Sequence, residues 1–460
     1  MISRRKFSTL MAGGVLAPSM GFARNLSMYD AQIALVYGAE TEYLNALQAI
    51  SDRINPDMIA GLILGLRYTH APVAPLLEVL RKLTGQTSDS EWSKWGDWML
   101  WQEAHPEIVP HESFIDFKRE MFLTIDVNFD DFLKLKYLAR DKIKIRLEEI
   151  TWGGVSKDGI PSLDNPELVS VSDSKAQYLE GSDLVFGVSI NGDTRAYPLR
   201  IMGWHEMFNA VIGGVPVALA YCTLCGSGIL FETKIKGRNK PLVFGSSGFL
   251  YRSNKLMFDR QTNSLWNQFT GKPVVGKLVG KGIELQQRPV VIASWANWKA
   301  QNPDTKVITL NTGHSRNYGS GVVYNDYFAS PELMFPTIVD QTQFRQKDYV
   351  FGVRAFGGAK AWPLKAFRKE PLINDAIGGQ ELVLIGNDVT RTVRAYQRKG
   401  KTFKRNSKGV ISTADNVKWV ITEDALVGNN SEKLPRVAGH IAYWFAWNGY
   451  LSDVSEVYGQ

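Results

Sequence analysis

From about Ser27 to Arg146, apolar positions recur with the period of a helix. Tyr43, Leu47, Ile50 and Ile54 step at i, i+4, i+7 and i+11. Val73, Leu76, Leu77, Leu80 and Leu83 line a second face, entered through Pro72 and Pro75. Phe114, Phe117 and Met121, then Phe129, Phe132 and Leu133, mark two more. Trp92, Trp95, Trp98 and Trp101 recur every third residue, which reads as a helix face buried against a neighbour rather than a ligand-stacking surface. After Trp152-Gly153-Gly154 the pattern becomes short strand-like runs separated by Gly, Pro, Asn and Asp. The expected class is α+β, with a helical region over 24–150 followed by β-rich sequence.

The β-rich part repeats itself. "DLVFGVSINGDTRAYPL" from Asp183 matches "DYVFGVRAFGGAKAWPL" from Asp348, an offset of 165, and the same offset aligns "NPEL" with "SPEL" and "NAVIGG" with "NDAIGG". With small deletions Trp266 meets Trp419, and Trp295 and Trp298 meet Trp444 and Trp447. The pattern predicts two tandem units, 155–312 and 320–460, related by a pseudo-twofold axis. Within that alignment Cys222 corresponds to Asn387, Cys225 to Thr390 and His205 to Glu370. The second unit thus builds the same scaffold without sulfur, so the cysteines are an addition to it.

Ser3-Arg4-Arg5-Lys6-Phe7, a mild apolar run and a small-residue exit near Ala23 read as a twin-arginine signal over residues 1–23. Its removal takes away Arg4, Arg5 and Lys6 and reduces the formal charge from +7 to +4. No dense Lys/Arg stripe remains to suggest a nucleic-acid partner. "MIAGLILGL" (Met58 to Leu66) falls short of the ~20 residues a membrane span needs. The expectation is an exported protein, periplasmic or extracellular, without a transmembrane span. Its partner is then a small molecule or another exported protein.

The chain has two cysteines, Cys222 and Cys225, in "AYCTLCGSGILFE". "VPVALAY" reads as a buried strand, the cysteines as the following turn, and Ile229-Leu230-Phe231 as the returning strand, with Gly226 and Gly228 permitting tight backbone. Three readings remain open. A structural disulfide closes a loop so short that it removes only ~2 kcal/mol of unfolded-state entropy. A thiol–disulfide oxidoreductase uses the pair directly, although the strand-turn-strand texture is unlike a thioredoxin βαβ unit. A metal site uses both thiolates with a third ligand, for which His205 in "GWHEMFNAVIGG" is the candidate. That set suits copper, placed ahead of zinc because thiolate ligation and export both favour it. Glu206 and Glu232 are candidate acid/base or supporting groups. Asp259, Arg260, Trp266 and Gln268, in the polar stretch Phe244 to Gly271, are candidate cavity-wall residues, with Asp259-Arg260 as an ion pair. A non-catalytic binding or assembly module is the further alternative. No Walker loop, dinucleotide fingerprint, HExxH or G-x-S-x-G elbow appears, so no nucleotide cofactor is expected.

"FGVSINGDTRAYPLRIMGWHEMFNAVIGGVPVALAYCTLCGSGILFE" and "FDRQTNSLWNQFTG" resemble an exported bacterial and archaeal family catalogued as number 3179 among the domains of unknown function. The resemblance implies that His205, Cys222, Cys225, Asp259, Arg260 and Trp266 fall on the family's motifs. Ser253-Asn254-Lys255 departs mildly from it. The resemblance brings no activity with it.

Overall fold

The computed structural model describes residues 26–87, 93–139 and 141–459. The segment 1–23 read as a signal, and Trp92, lie outside the described residues.

The helical period of the first part becomes helices. Glu40–Arg53 buries Tyr43, Ala46, Leu47 and Ile50. Ile54 leaves that stripe: it ends the helix in a left-handed conformation (φ 50°) and is exposed. Ala74–Thr84 buries Leu76, Leu77 and Leu80, while Val73 stands exposed before its first turn. In Trp95–Ala104, Trp98 and Trp101 are buried, and Trp95 carries the Arg67 guanidinium 4.3 Å from its ring. Phe114–Ile125 and the turns after it bury Phe114, Phe117, Met121, Phe129, Phe132 and Leu133. These aromatics pack on Phe249 and Phe258 and join the helices to the sheet that follows. Ile59–Tyr68 is apolar up to Leu66 but only ten residues long; among the described residues no helix is long and apolar enough to cross a membrane.

The β-rich part holds several sheets. One runs Ile150–Trp152, Phe244–Tyr251, Asn254–Asp259, Leu265–Asn267 and Lys272–Val275. A second orders Gln287–Arg288, Ser227–Glu232, Val215–Cys222, Met207–Ile212 and Leu163–Asp164. A third orders Val291–Ser294, Leu184–Ile190, Asp193–Pro198, Lys306–Ile308 and Leu168–Ser170. A four-stranded sheet orders His440–Tyr443, Tyr349–Ala355, Gly358–Pro363 and Ser455–Val457. The eight-stranded sheet opens with Leu372–Ile377, Gln380–Asn387 and Thr392–Gln397 and continues through Lys433–Val437 to Phe403–Arg405. Two glycines mark close approaches. A Cβ on Gly187 would lie 2.2 Å from the Trp298 ring, and one on Gly352 would lie 1.9 Å from the Trp447 ring.

Candidate functional site

Antiparallel pairing of Val215–Cys222 with Ser227–Glu232 ends at Cys222 opposite Ser227, so Thr223 to Gly226 make the turn. Cys222 and Cys225 are joined there as a disulfide, with Cα atoms 5.2 Å apart. Gly226 takes φ +60°, and a Cβ on it would lie 3.0 Å from the Tyr349 ring, so glycine is favoured on both counts.

The turn is held from several directions. Gln268 Nε2 donates to the Ala220 and Ser227 carbonyls at 2.8 and 3.1 Å, bracketing the hairpin end. The Tyr443 N–H donates to the Cys225 carbonyl (2.8 Å), and the Tyr327 hydroxyl donates to the Leu224 carbonyl (2.7 Å). Tyr349 stacks on Tyr443 at 4.5 Å and accepts from Arg391 at 2.7 Å. Residues from the last third of the chain therefore roof the cysteine turn.

The two sulfurs face different surroundings. Cys222 lines a narrow cavity of about 40 Å³ together with Glu206, Lys255, Tyr324, Leu224 and Ser246. Cys225 is fully buried, its Sγ 3.8 Å from the Ser253 carbonyl. A half-cystine has no proton to offer that oxygen; a reduced Cys225 thiol has.

Glu206 organises the cavity. Helix Leu199–His205 stops when Glu206 takes a left-handed conformation (φ 54°) and donates its N–H to the Met202 carbonyl at 2.7 Å. Its carboxylate then accepts from Thr223 Oγ1 (2.6 Å), Lys255 Nζ (3.0 Å) and the Tyr324 hydroxyl (3.4 Å). Glu206 and Lys255 are both buried, so each requires the other as countercharge. Burial first, and the Glu206 charge second, push the Tyr324 hydroxyl far above its ordinary pKa and keep it a donor.

His205 sits next to Glu206 in sequence but faces elsewhere. Its Nδ1 meets the Pro161 carbonyl at 2.9 Å and its Nε2 meets the Tyr318 hydroxyl at 2.6 Å. A carbonyl can only accept, so Nδ1 carries the proton and Tyr318 donates to Nε2. Burial lowers the imidazole pKa to about 4 against the opposing Pro161 hydrogen bond, with His314 and Arg316 adding to the lowering. With both nitrogens engaged, His205 has no free lone pair for a metal as placed. Among the described residues no group of three or more His, Cys, Asp or Glu side chains is arranged to hold a metal ion.

The other candidates are spread out. Glu232 pairs with Arg288 at 2.6 Å, opposite Val217 and well along the hairpin from Cys222. Asp259 and Arg260 do not pair with each other: Asp259 ends its strand, Arg260 begins the turn beyond it, and each has partners of its own. Asp259 accepts from Thr262 N (2.7 Å) and Trp266 Nε1 (3.0 Å), and Arg260 binds Asp158 with two nitrogens. Asp259, Arg260 and Trp266 shape the turn after Asn254–Asp259 rather than the cavity wall. Sequence reasoning gave no role to Lys255, Thr223 or Tyr324. A lysine inside the buried run Asn254–Asp259 is the one signal that pointed to such a site.

Residues 157–454 match the model of the family described as "Protein of unknown function (DUF3179)". No curated protein and no solved structure matches the chain.

Proposed function

The chain belongs to the DUF3179 family, and from that premise we propose that it is an exported thiol–disulfide redox protein whose exchanging sulfur is Cys222. The observation that carries this reading is the asymmetry of the pair: both cysteines are buried, but Cys222 lines the small cavity beside the Glu206–Lys255 pair and Cys225 does not. The thiolate is the nucleophile in exchange, and the Glu206–Lys255 pair on the wall of that cavity offers a carboxylate to take the Cys222 proton and an ammonium to face the charge left behind.

In the oxidising half-reaction the Cys222 thiolate attacks a disulfide sulfur of the partner, and one partner thiolate leaves. Cys225 then attacks Cys222 Sγ, breaking the mixed disulfide and releasing the second partner thiolate. The partner gains two electrons, and the two protons from the cysteines end on its thiols. At about 40 Å³ the cavity holds little more than one water, so the co-reactant is a small disulfide or a thin peptide loop entering as the Tyr324 side gives way. His205, the third ligand considered for copper or zinc, is engaged by Pro161 and Tyr318, which favours the thiol reading over the metal one.

Trapping tests the reading. After mild reduction, Cys225→Ser should form a stable mixed disulfide at Cys222 with a small aromatic disulfide under native conditions, and Cys222→Ser should form none. Equal reaction of both variants contradicts it. Stoichiometric copper or zinc in protein matured in vivo, lost in Cys222→Ser, would replace it by the metal reading.

We further infer two homologous units, 155–312 and 320–460. The strand pairs Leu184–Ile190 with Asp193–Pro198 and Tyr349–Ala355 with Gly358–Pro363 share one register at the 165-residue offset, and Gly187 under Trp298 corresponds to Gly352 under Trp447. Cys222 pairs with Ser227 as Asn387 pairs with Thr392. On this reading the first unit carries the chemistry and the second roofs it through Tyr349 and Tyr443.

A further inference from the structure

A second concavity, sharing no lining residue with the cavity beside Cys222, has a volume of about 440 Å³. Its wall includes Tyr178, Arg200, Leu310, His314, Arg316 and Tyr318, and no aspartate or glutamate. The charge of Arg200 is answered by Asp183 at 3.0 Å. Arg316 is exposed, and the bond recorded for its guanidinium among the described residues is to the neighbouring Ser315 carbonyl (3.0 Å).

The segment carrying Arg316 is held rigidly. Three side chains of one helix pin it: Arg200 Nε donates to the Tyr318 carbonyl (2.8 Å), Trp204 Nε1 donates to the Asn317 carbonyl (2.8 Å), and His205 Nε2 accepts from the Tyr318 hydroxyl (2.6 Å). Thr312 Oγ1 completes the chain at 2.6 Å from Tyr318 Oη. His205 is thus an anchor for this loop. A guanidinium without a countercharge, fixed on a pinned loop over an acid-free cleft, is preorganised for an oxyanion, because the cost of ordering the loop has been met in folding.

We propose that this cleft binds a small molecule through a carboxylate or phosphate group held by Arg316, with Tyr178 and Leu310 against its apolar part. The site is separate from the disulfide and does not depend on the redox reading.

Calorimetric titration of the full chain with inorganic phosphate and, separately, with benzoate tests it. At least one should bind saturably with a Kd of about 1 mM or tighter and move the His314 ring signals in NMR. Arg316→Ala, an exposed change that leaves the fold intact by circular dichroism, should weaken that binding at least about tenfold. Arg316→Lys should retain more of it, since a point charge replaces the fork. Binding of phosphate alone identifies a phosphate ligand, and binding of benzoate alone a carboxylate. No saturable binding of either by about 10 mM, or binding unchanged in Arg316→Ala, overturns the proposal.

Discussion

Glu206 combines an unfavourable backbone with a buried charge. Left-handed backbone at a residue with a Cβ costs ~1–2 kcal/mol, and the conformation is kept because three donors converge on the carboxylate it presents. Removing one partner leaves the other charge buried. Lys255→Met should therefore destabilise the protein by ~3–5 kcal/mol in urea unfolding. The double change Glu206→Gln with Lys255→Met should recover most of that loss; equal loss in both would show that the pair is not the cause. The cysteines were legible because their spacing is a signal in itself. The Glu206–Lys255 pair was not, because its members are 49 positions apart and meet only through the packing of two hairpins. His205 was legible as a special residue, but its partner Tyr318, 113 positions away, decides what it does.

At the scale of elements, the turn between Phe244–Tyr251 and Asn254–Asp259 puts two non-glycine residues, Arg252 (φ 47°) and Ser253 (φ 59°), at positive φ. Arg252 is held by Glu149 at 2.7 Å, a tie from the helical region to the strand pair over the disulfide. Ser253 Oγ is buried without a hydrogen bond among the described residues. Ser253→Gly should then stabilise the protein by ~1 kcal/mol, seen as a higher Tm; a lower Tm would mean that the hydroxyl has a role. The contrary prediction holds for the glycines facing tryptophans. Gly352→Ala and Gly187→Ala each force a ring to move and should cost ~2–3 kcal/mol or more, whereas an unchanged Tm would show that the rings have room. Helices were the most legible elements because their apolar stripes are long; Ile54 fell outside its stripe because the helix stops one residue earlier. The short strands from Phe403–Arg405 to Lys433–Val437 were not individually legible, since three to five residues carry too little periodicity to fix a register.

For the molecule as a whole, two buried histidines set its acid response. Burial lowers His205 to about 4 and His440 to about 3, so both are neutral in the folded protein near pH 7. A depressed histidine contributes stability that is fully present above its unfolded pKa of 6.5 and is lost as pH falls toward the folded value. Glu103, raised by burial to about 6, acts oppositely: its contribution is present at low pH and lost as pH rises through 6. Two groups outweigh one, so stability should fall by ~1–2 kcal/mol per pH unit between about pH 6 and 4.5. Urea midpoints across that window check this, and His440→Gln should flatten the slope; an unaltered slope would place the titration elsewhere. The disulfide enters the same balance weakly, since so short a loop contributes only ~2 kcal/mol, and the double serine variant should fold.

The most direct measurement is the redox equilibrium of the native protein. The full chain is incubated in buffers of graded dithiothreitol, quenched with an alkylating agent, and the state of Cys222 and Cys225 is read by mass. A redox role predicts a complete, reversible two-electron transition without denaturant, at a potential above about −300 mV. A pair that resists reduction until the protein is unfolded would contradict it and leave the cysteines a structural staple.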